Sequence, residues 1–298
     1  MAGVRPDRPS GGAPVSRQPV AGVPDAEWDD RLSVHALSTR RWPLDRDLEL
    51  YERLGVRRIS LSLPKLVEAG IDASVGRILD QGLRVDGIYP GCAFDLADPS
   101  SWDRVSDAMV TSIECGHRLG ATTLQTTGGS AGGRPFEWAV DQLSTALGPV
   151  VEAGRRYGVR VALEPTRPQF AHVALVHTLR DGLTVARRLG LGLVPDTAHL
   201  WWEPGLAGQL AAGVPLFAMV QVADLDLSAP VLERVVPGDG GSTLGALVGG
   251  LVDAGYAGPF ELELIGQAIE DEGYPSALLR SLRHVDGLLR AAPVPPPG

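Results

Sequence analysis

Four polar side chains stand at or near the ends of four apolar runs in the second half of the chain. VRVALE ends at Glu164 and LGLVPD ends at Asp196, and two later runs bring Gln221 and Glu263 to comparable positions. Oxygen atoms that converge in this way can bind a divalent cation, and a carboxylate can also accept or donate a proton. The spacing therefore predicts a metal-assisted site for proton transfer.

Three carboxylates gathered in one place would repel one another, and burial would increase the repulsion. Since we expect no Lys or Arg beside Glu164, Asp196 and Glu263, a divalent cation is the simplest way to keep them ionised. Any single acid of this kind is more often a surface residue at the start of a loop, but four successive strand ends favour a common site. Glu261 lies on the same face as Glu263 by the alternation of a strand, so it either shares the site or is a buried acid paired elsewhere.

Such a site needs parallel strands whose carboxyl ends meet at one rim. From Ser33 onwards, eight short apolar runs alternate with amphipathic segments, which is typical of an α/β fold with a single (β/α)₈ TIM barrel. The barrel is predicted over residues 31–290, with a kink or break at Gly148-Pro149 in one long helix. A doubly wound open sheet would need a G-x-G-x-x-G turn after an early strand, and GGSAGG at 128–133 follows the fourth strand without that register.

Composition restricts the partners and the compartment. The chain has 298 residues with 27 Lys and Arg against 36 Asp and Glu, a net charge of −9, which argues against a nucleic-acid partner. Cys92 and Cys115 form no disulfide or metal-ligand pattern, so we expect reduced thiols and a cytoplasmic location. No run is long enough to span a membrane. Residues 1–30 and 291–298 are rich in Pro and Gly, and we predict a disordered extension and tail.

Five short motifs stand at the predicted strand ends or just beyond them. They are Leu163-Glu164-Pro165, Asp196-Thr197-Ala198-His199, Gln221-Val222-Ala223-Asp224, Gly238-Asp239-Gly240, and Gly255-Tyr256-Ala257-Gly258 leading to Glu263. Their order and spacing resemble the xylose-isomerase-like barrel superfamily, which holds sugar isomerases and epimerases, inosose dehydratases and the endonuclease IV group. The resemblance covers about residues 31–290.

The resemblance implies one divalent cation bound by Glu164, Asp196, the residue at 221 and Glu263. The family most often has His where this chain has Gln221, and an amide makes the ligand set all oxygen. Such a set favours Mn²⁺ or Mg²⁺ over Zn²⁺ and argues against the multi-zinc endonucleases.

In the sugar epimerases, two glutamates exchange protons with adjacent carbons while the metal polarises the substrate oxygens. The resemblance therefore implies Glu164 and Glu263 as the acid/base pair.

Five further residues are candidate substrate contacts. The resemblance implies that His199 contacts the substrate or supports the metal. The alternative for His199 is a capping or loop histidine. Arg167 either binds a substrate carboxylate or phosphate or is a solvent-exposed loop arginine. His35 lines the pocket or is a core histidine, and Trp201 forms an apolar wall for a sugar or packs in the core. Asp224 either orients a metal ligand or a substrate hydroxyl, or caps a helix.

The sequence thus predicts a metal-dependent isomerase or epimerase that removes a proton next to the carbonyl of a ketose, a polyol-derived ketone or a related small sugar. The same site could act as a lyase, in inosose dehydration or in elimination from an oxidised glycoside. A catalytically inactive barrel kept as a binding subunit is the third hypothesis, supported only by Gln221. The long segment from Asp224 to Ser242 is predicted to be a lid that orders on substrate binding. Relatives often form dimers or tetramers, so a homo-oligomer is a further expectation.

Overall fold

Eight parallel strands form the centre of the fold in the computed structural model, which describes residues 27–292 of the chain. They pair in the order β6-β5-β4-β3-β2-β1-β8-β7, and single bridges from Leu193 to Phe217 and from Asp196 to Gln221 join the two outer strands. The predicted TIM barrel is confirmed. The strands are β1 (Leu32–His35), β2 (Arg58–Ser62), β3 (Arg84–Tyr89), β4 (Thr123–Thr126), β5 (Arg160–Leu163), β6 (Gly192–Leu193), β7 (Val220–Val222) and β8 (Phe260–Leu262).

Helices follow the strands and lie on the outside of the barrel. In α1, Leu44, Leu48, Tyr51 and Leu54 are all buried, because residues three or four apart share one face of a helix. Gly55 ends this helix with a φ of 67°, a left-handed conformation that glycine adopts without strain. The helices are α1 (Leu44–Leu54), α2 (Leu63–Glu68), α3 (Ile71–Asp80), α4 (Trp102–Arg118), α5 (Phe136–Tyr157), α6 (Leu179–Leu189), α7 (Thr197–Leu200), α8 (Leu206–Gly213), α9 (Leu244–Asp253), α10 (Gln267–Glu272) and α11 (Tyr274–Ala291).

The register of the strands brings all their carboxyl ends to one rim. Glu261 of β8 pairs with Ser33 of β1 on one side and with Gln221 of β7 on the other. The bridge between Asp196 and Gln221 continues this ladder beyond the end of β6. Because every strand runs in the same direction, the segments that follow β5, β6, β7 and β8 meet above the same end of the barrel.

Helix α5 is continuous through Gly148-Pro149, so the predicted break does not occur. Both residues lie on the exposed face of the helix, whereas Leu147 and Val150 are buried beside them. A proline within a helix removes one hydrogen bond, and on the outer face the freed carbonyl can bind water instead. The buried apolar stripe of α5 therefore outweighs the local cost of the proline.

A buried ion pair fixes the turn that follows β1. Lys65 Nζ donates to Asp47 Oδ2 at 2.5 Å and to the Thr39 carbonyl oxygen at 3.0 Å. Burial raises the pKa of Asp47 to about 6, against the opposing effect of the Lys65 charge. The contacts tie α1 and α2 to the short 3₁₀ turn Ala36–Thr39, which begins directly after His35.

The predicted disordered extension and tail fall mostly outside the described residues. At the described end of the extension, Trp28 Nε1 donates to the Leu54 carbonyl at 2.7 Å, and the Asp29 amide donates to Asp286 Oδ1 at 2.7 Å. These contacts place Trp28 and Asp29 against the barrel. None of the helices within residues 27–292 combines the length and the apolar character that a membrane span requires.

Candidate active site

Local backbone geometry aims Glu164 and Asp196 into the rim of the barrel. The Glu164 amide donates to the Thr126 carbonyl at 2.8 Å, which continues the pairing of β5 with β4 by one residue. Asp196 is the N-cap of α7, and its Oδ1 accepts a hydrogen bond of 2.7 Å from the Ala198 amide. A capping carboxylate satisfies an amide that the first turn of a helix leaves free. Both acids are therefore held by their own backbone surroundings.

His199 joins these two acids to form a cluster that we call the acid–histidine cluster. Its Nε2 lies 3.4 Å from Glu164 Oε1 and 3.7 Å from Asp196 Oδ2. Each of the three residues offers one ligand atom, and these atoms all lie within 4.8 Å of one another. All three side chains are buried, and helix α7 brings His199 back over Asp196 after one turn. Two carboxylates and an imidazole at this spacing fit a divalent cation.

Arg234 lies among the acids, so the expectation that no arginine stands beside them is wrong. Its Nη2 donates to Asp196 Oδ2 and, at 2.9 Å, to Glu263 Oε2, and it lies 3.4 Å from His199 Nε2. Burial alone would raise the pKa of Asp196, but the Arg234 guanidinium holds it below its usual value. Arg234 thus supplies, from the loop after β7, part of the positive charge that the sequence assigned to a metal.

Gln221 lies inside the barrel, and its two amide N–H donors lie within hydrogen-bond distance of three acceptors. Its Nε2 is 3.2 Å from Gln125 Oε1, 3.1 Å from Glu261 Oε2 and 3.2 Å from Glu263 Oε1. Its own Oε1 is buried and has no hydrogen-bond partner among the described residues. Burial raises the pKa of Glu261 to about 8, although the hydrogen bond from Gln221 opposes the rise. Glu261 therefore faces the barrel interior as predicted, and it is paired with Gln221.

The structure groups the four predicted ligands differently from the sequence. Glu164 and Asp196 come together with His199, whereas Gln221 and Glu263 are tied to each other and Glu263 is also tied to Arg234. The cluster that fits a cation therefore contains a nitrogen donor. This cluster differs from the all-oxygen ligand set on which the preference for Mn²⁺ or Mg²⁺ over Zn²⁺ rested, and that ligand set stays a prediction.

Glu263 stands at the end of β8 and is 4% exposed. Burial raises its pKa well above the usual value, while the Arg234 charge opposes the rise and the Glu164 charge adds to it. Glu164, by contrast, accepts a hydrogen bond of 2.8 Å on Oε2 from Gln125 Nε2. The two glutamates of the predicted acid/base pair thus sit in different surroundings and approach the rim from strands β5 and β8.

His35 lies beside Glu263, with its Nδ1 3.6 Å from Glu263 Oε1. The same nitrogen accepts a hydrogen bond of 3.1 Å from the Leu37 amide, so the proton of a neutral ring is on Nε2. Burial, with the charges of Lys65 and Arg234, lowers the pKa of His35 to about 3. His35 is therefore a neutral, fully buried ring at the edge of the site, and its Nε2 has no partner in the described part of the chain.

The Asp224 carboxylate is bound by the loop that follows it, and its role as a substrate contact stays a prediction. Its carboxylate accepts hydrogen bonds from the amides of Gly238 and Gly240 at 3.1 and 3.2 Å and from Ser242 Oγ at 2.6 Å. Those donors all belong to the predicted lid, the segment from Asp224 to Ser242. Asp224 therefore fixes the shape of that loop, and an antiparallel pairing of Asp224–Leu225 with Arg234–Val235 directs Arg234 to the acids.

Trp201 is partly buried at the base of the same loop. It packs against Ala198, Ala223 and Leu225, which favours the packing interpretation over that of an apolar wall for a sugar. Its indole Nε1 is buried without a hydrogen-bond partner among residues 27–292.

Arg167 is also buried, with 6% of its surface exposed, so the alternative of a solvent-exposed loop arginine is wrong.

Three residues of the site were missed from the sequence. Gln125 is the last residue but one of β4 and has a polar side chain, so the strand-end pattern that identified Glu164 applies to it as well. Tyr89 ends β3, and burial together with the Glu164 and Glu263 charges raises its pKa to about 12. Arg234 follows no strand end and has no spacing relation to the acids, so nothing in its sequence position indicated the contact.

Comparison with known proteins agrees with this architecture. The family model described as the xylose isomerase-like TIM barrel matches residues 48–284. A search of curated proteins finds no match. Protein SMc04130 from Sinorhizobium meliloti 1021 superposes with a TM-score of 0.79 at 21% identity over 87% of this chain and 98% of that one.

Two further solved structures extend the comparison. IolI with a bound zinc atom has a TM-score of 0.75 at 18% identity over 87% of this chain and 98% of its own. The apo form of the 3-keto-D-glucoside 4-epimerase YcjR from E. coli has a TM-score of 0.69 at 19% identity over 85% of this chain and 98% of its own. At these identities the likeness shows a shared fold, and the family model extends over most of the chain. The chain belongs to the xylose isomerase-like TIM barrel family.

Proposed function

We propose that the chain is a divalent-metal-dependent isomerase or epimerase of a ketose, a polyol-derived ketone or a related sugar. The acid–histidine cluster carries the proposal, because its three ligand atoms lie within 4.8 Å of one another at the catalytic rim of the barrel. The sugar epimerase among the structural neighbours supports an activity of this class. A small polar or metal-bound substrate also suits a chain whose net charge is −9.

In this proposal Glu164 and Glu263 transfer the protons. They follow strands β5 and β8, with the ends of β6 and β7 between them, so they can reach a bound substrate from two directions. Epimerisation removes a proton from one face of a carbon and returns one to the opposite face, so two such groups serve it. Gln125 orients Glu164, and Arg234 orients Glu263, each through one hydrogen bond.

Glu164, Asp196 and His199 would hold the cation. A divalent cation at this position supplies Lewis-acid polarisation of the substrate's carbonyl and hydroxyl oxygens. We propose Mn²⁺ or Mg²⁺ because two of the three donors are carboxylates, which suit these ions. Zn²⁺ is the competitor, since the imidazole of His199 suits it and the IolI structure contains zinc.

A solvent-exchange experiment tests the reaction class. The purified chain is incubated with Mn²⁺ and a panel of ketoses in D₂O, and the products are followed by NMR and mass spectrometry. We expect one ketose to return as an isomer or epimer that carries carbon-bound deuterium, because the abstracted proton exchanges with solvent before it is returned.

The other outcomes of this experiment separate the remaining hypotheses. An unsaturated product with loss of water or of a glycosidic leaving group would contradict the epimerase proposal in favour of the lyase. A chain that changes no member of the panel and binds no divalent ion would be an inactive barrel, the hypothesis that Gln221 supports. A cytoplasmic location and a homo-oligomeric state are part of the same proposal, and size-exclusion chromatography with light scattering measures the second.

A further inference from the structure

Arg167 is a buried cation without an ion-pair partner in the described part of the chain. Its side chain is 6% exposed, and its Nε and Nη1 atoms have no hydrogen-bond acceptor within the described range 27–292. No carboxylate of that range lies within salt-bridge distance of it. Buried charges in proteins are almost always paired or hydrogen-bonded, because removing an ion from water is costly. An unpaired buried guanidinium therefore requires an explanation.

The backbone holds Arg167 in place beside the catalytic cluster. Arg167 follows Glu164 by three residues, and the intervening Thr166 is fixed by two contacts. The Thr166 amide donates to the Val176 carbonyl at 2.9 Å, and the Thr166 carbonyl lies 3.0 Å from His177 Nδ1. The position of Arg167 is therefore set by an ordered segment and not by the end of a free loop.

Aromatic contacts link Arg167 to the acid–histidine cluster. Its guanidinium carbon lies 5.7 Å from the centre of the Phe170 ring, and that ring lies 5.2 Å from the His199 ring. The Phe170 face stabilises the cation without neutralising it. Burial and the nearby charge of Arg234 both lower the pKa of Arg167.

The contrast with Arg234 shows what Arg167 lacks. Arg234 is equally buried, and its Nη2 donates to Asp196 and Glu263. Arg167 has donors of the same kind next to the same cluster, but no acid of the described chain receives them. The described residues thus leave the Nε and Nη1 donors of Arg167 available to a bound molecule.

We propose that Arg167 binds an anionic group of the substrate, a carboxylate or a phosphate, so that the substrate is a negatively charged keto sugar. The inference rests on the proposed function, since it places the reacting carbonyl at the acid–histidine cluster and the anion at Arg167. Guanidinium donors bind the oxygens of carboxylates and phosphates more strongly than neutral hydroxyls, because both partners are charged. A neutral ketose could accept a hydrogen bond but would give the Arg167 donors no charged acceptor, and the Asp196 charge only partly opposes the effects of burial and of Arg234 on the Arg167 pKa.

Calorimetric titration of the full-length protein tests this subsite directly. The probes are D-fructose as the neutral sugar, D-glucuronate as the carboxylate and D-fructose 6-phosphate as the phosphate, all at one ionic strength. The variant is Arg167→Met. The control is Arg180→Met, which removes the same charge from an exposed position on α6.

We expect the unchanged protein and Arg180→Met to bind one of the two anions at least about 10-fold more tightly than D-fructose. Arg167→Met should lose roughly 10- to 100-fold in affinity for that anion and little for D-fructose, as expected for the loss of a hydrogen bond between charged groups. The anion that binds identifies the source of the charge. Equal affinity for all three sugars, or unchanged anion binding by Arg167→Met, would overturn the proposal.

The melting temperature provides a second measurement, and it would fall on substitution if Arg167 had a structural role. Because Arg167→Met removes an unpaired buried charge, its melting temperature in the absence of sugar should equal or exceed that of the unchanged protein. A fall of more than about 5 °C, which is about 2 kcal/mol for a domain of this size, would show that the guanidinium holds the fold together. If Arg167→Met does not fold, Arg167→Lys keeps the charge and should retain the preference for the anion.

Failure of the subsite and failure of the proposed function give different results. The titrations need no turnover, so Arg167-dependent anion binding by a protein that exchanges no deuterium would contradict only the proposed reaction. Turnover of a neutral ketose with the same KM in Arg167→Met and in the unchanged protein would contradict only the subsite.

Discussion

Replacing Glu164 or Glu263 with glutamine is expected to lower kcat by roughly 10²- to 10⁴-fold, the usual contribution of a positioned general acid or base. Glutamine keeps the shape of the side chain and can still hydrogen-bond, but it cannot take up or release a proton. Glu164→Gln also weakens one of the three ligands of the acid–histidine cluster, so its loss should be the larger of the two. Steady-state kinetics on the ketose found by deuterium exchange measure both variants.

Two control variants show whether these losses are specific. Glu261→Gln alters the buried acid two residues before Glu263, which lies within β8 and not beyond its end. We expect it to keep kcat within about 10-fold, a smaller loss than a proton-transferring group gives. Glu152→Gln alters an exposed acid on α5 and should change nothing. Loss of activity in Glu261→Gln with normal activity in Glu263→Gln would assign the proton transfer to Glu261.

Removing the charge of Arg234 is expected to destabilise the metal-free protein by about 3–5 kcal/mol, the usual cost of breaking a buried ion pair. In Arg234→Met, Asp196 and Glu263 would lose the guanidinium that donates to both of them. Two buried carboxylates would then face each other without a counter-charge. Urea denaturation of the metal-free protein, with and without the substitution, measures the loss.

Added Mn²⁺ should restore much of the stability of Arg234→Met, because a cation bound in the acid–histidine cluster replaces the lost positive charge. Arg188→Met is the matched control. Arg188 also bridges two carboxylates, those of Glu137 and Asp141, but on the surface, where such pairs contribute about 0–1 kcal/mol. Equal stability of metal-free Arg234→Met and the unchanged protein would show that Arg234 does not hold the acids.

The sequence predicted the barrel because its eight strands are short apolar runs that alternate with amphipathic helices. It also placed Glu164 and Asp196 correctly at the rim, since both acids follow their strands within three residues. Strand ends follow from local patterns of apolar and polar residues, and these patterns are visible in the sequence. The continuous α5 was missed because the exposure of Pro149 depends on how the helix packs, which the periodicity alone did not show.

The grouping of the side chains depended on contacts between distant parts of the chain. Arg234 reaches Asp196 across 38 positions and Glu263 across 29, and its approach depends on the hairpin that Asp224 organises. The amide group of Gln221 donates to Glu261 and Glu263, because both neighbouring carboxylates are acceptors. Side-chain type and spacing identified the residues of the site, but they did not determine which of these residues would pair.

Anomalous X-ray diffraction from crystals grown with Mn²⁺ shows directly whether the acid–histidine cluster binds a metal ion. We predict a single strong peak within about 2.0–2.6 Å of one oxygen each of Glu164 and Asp196 and of His199 Nε2, the usual range for divalent cations with these donors. Absence of a peak at these residues, with Arg234 still bridging Asp196 and Glu263, would contradict the assignment of the acid–histidine cluster as a metal site.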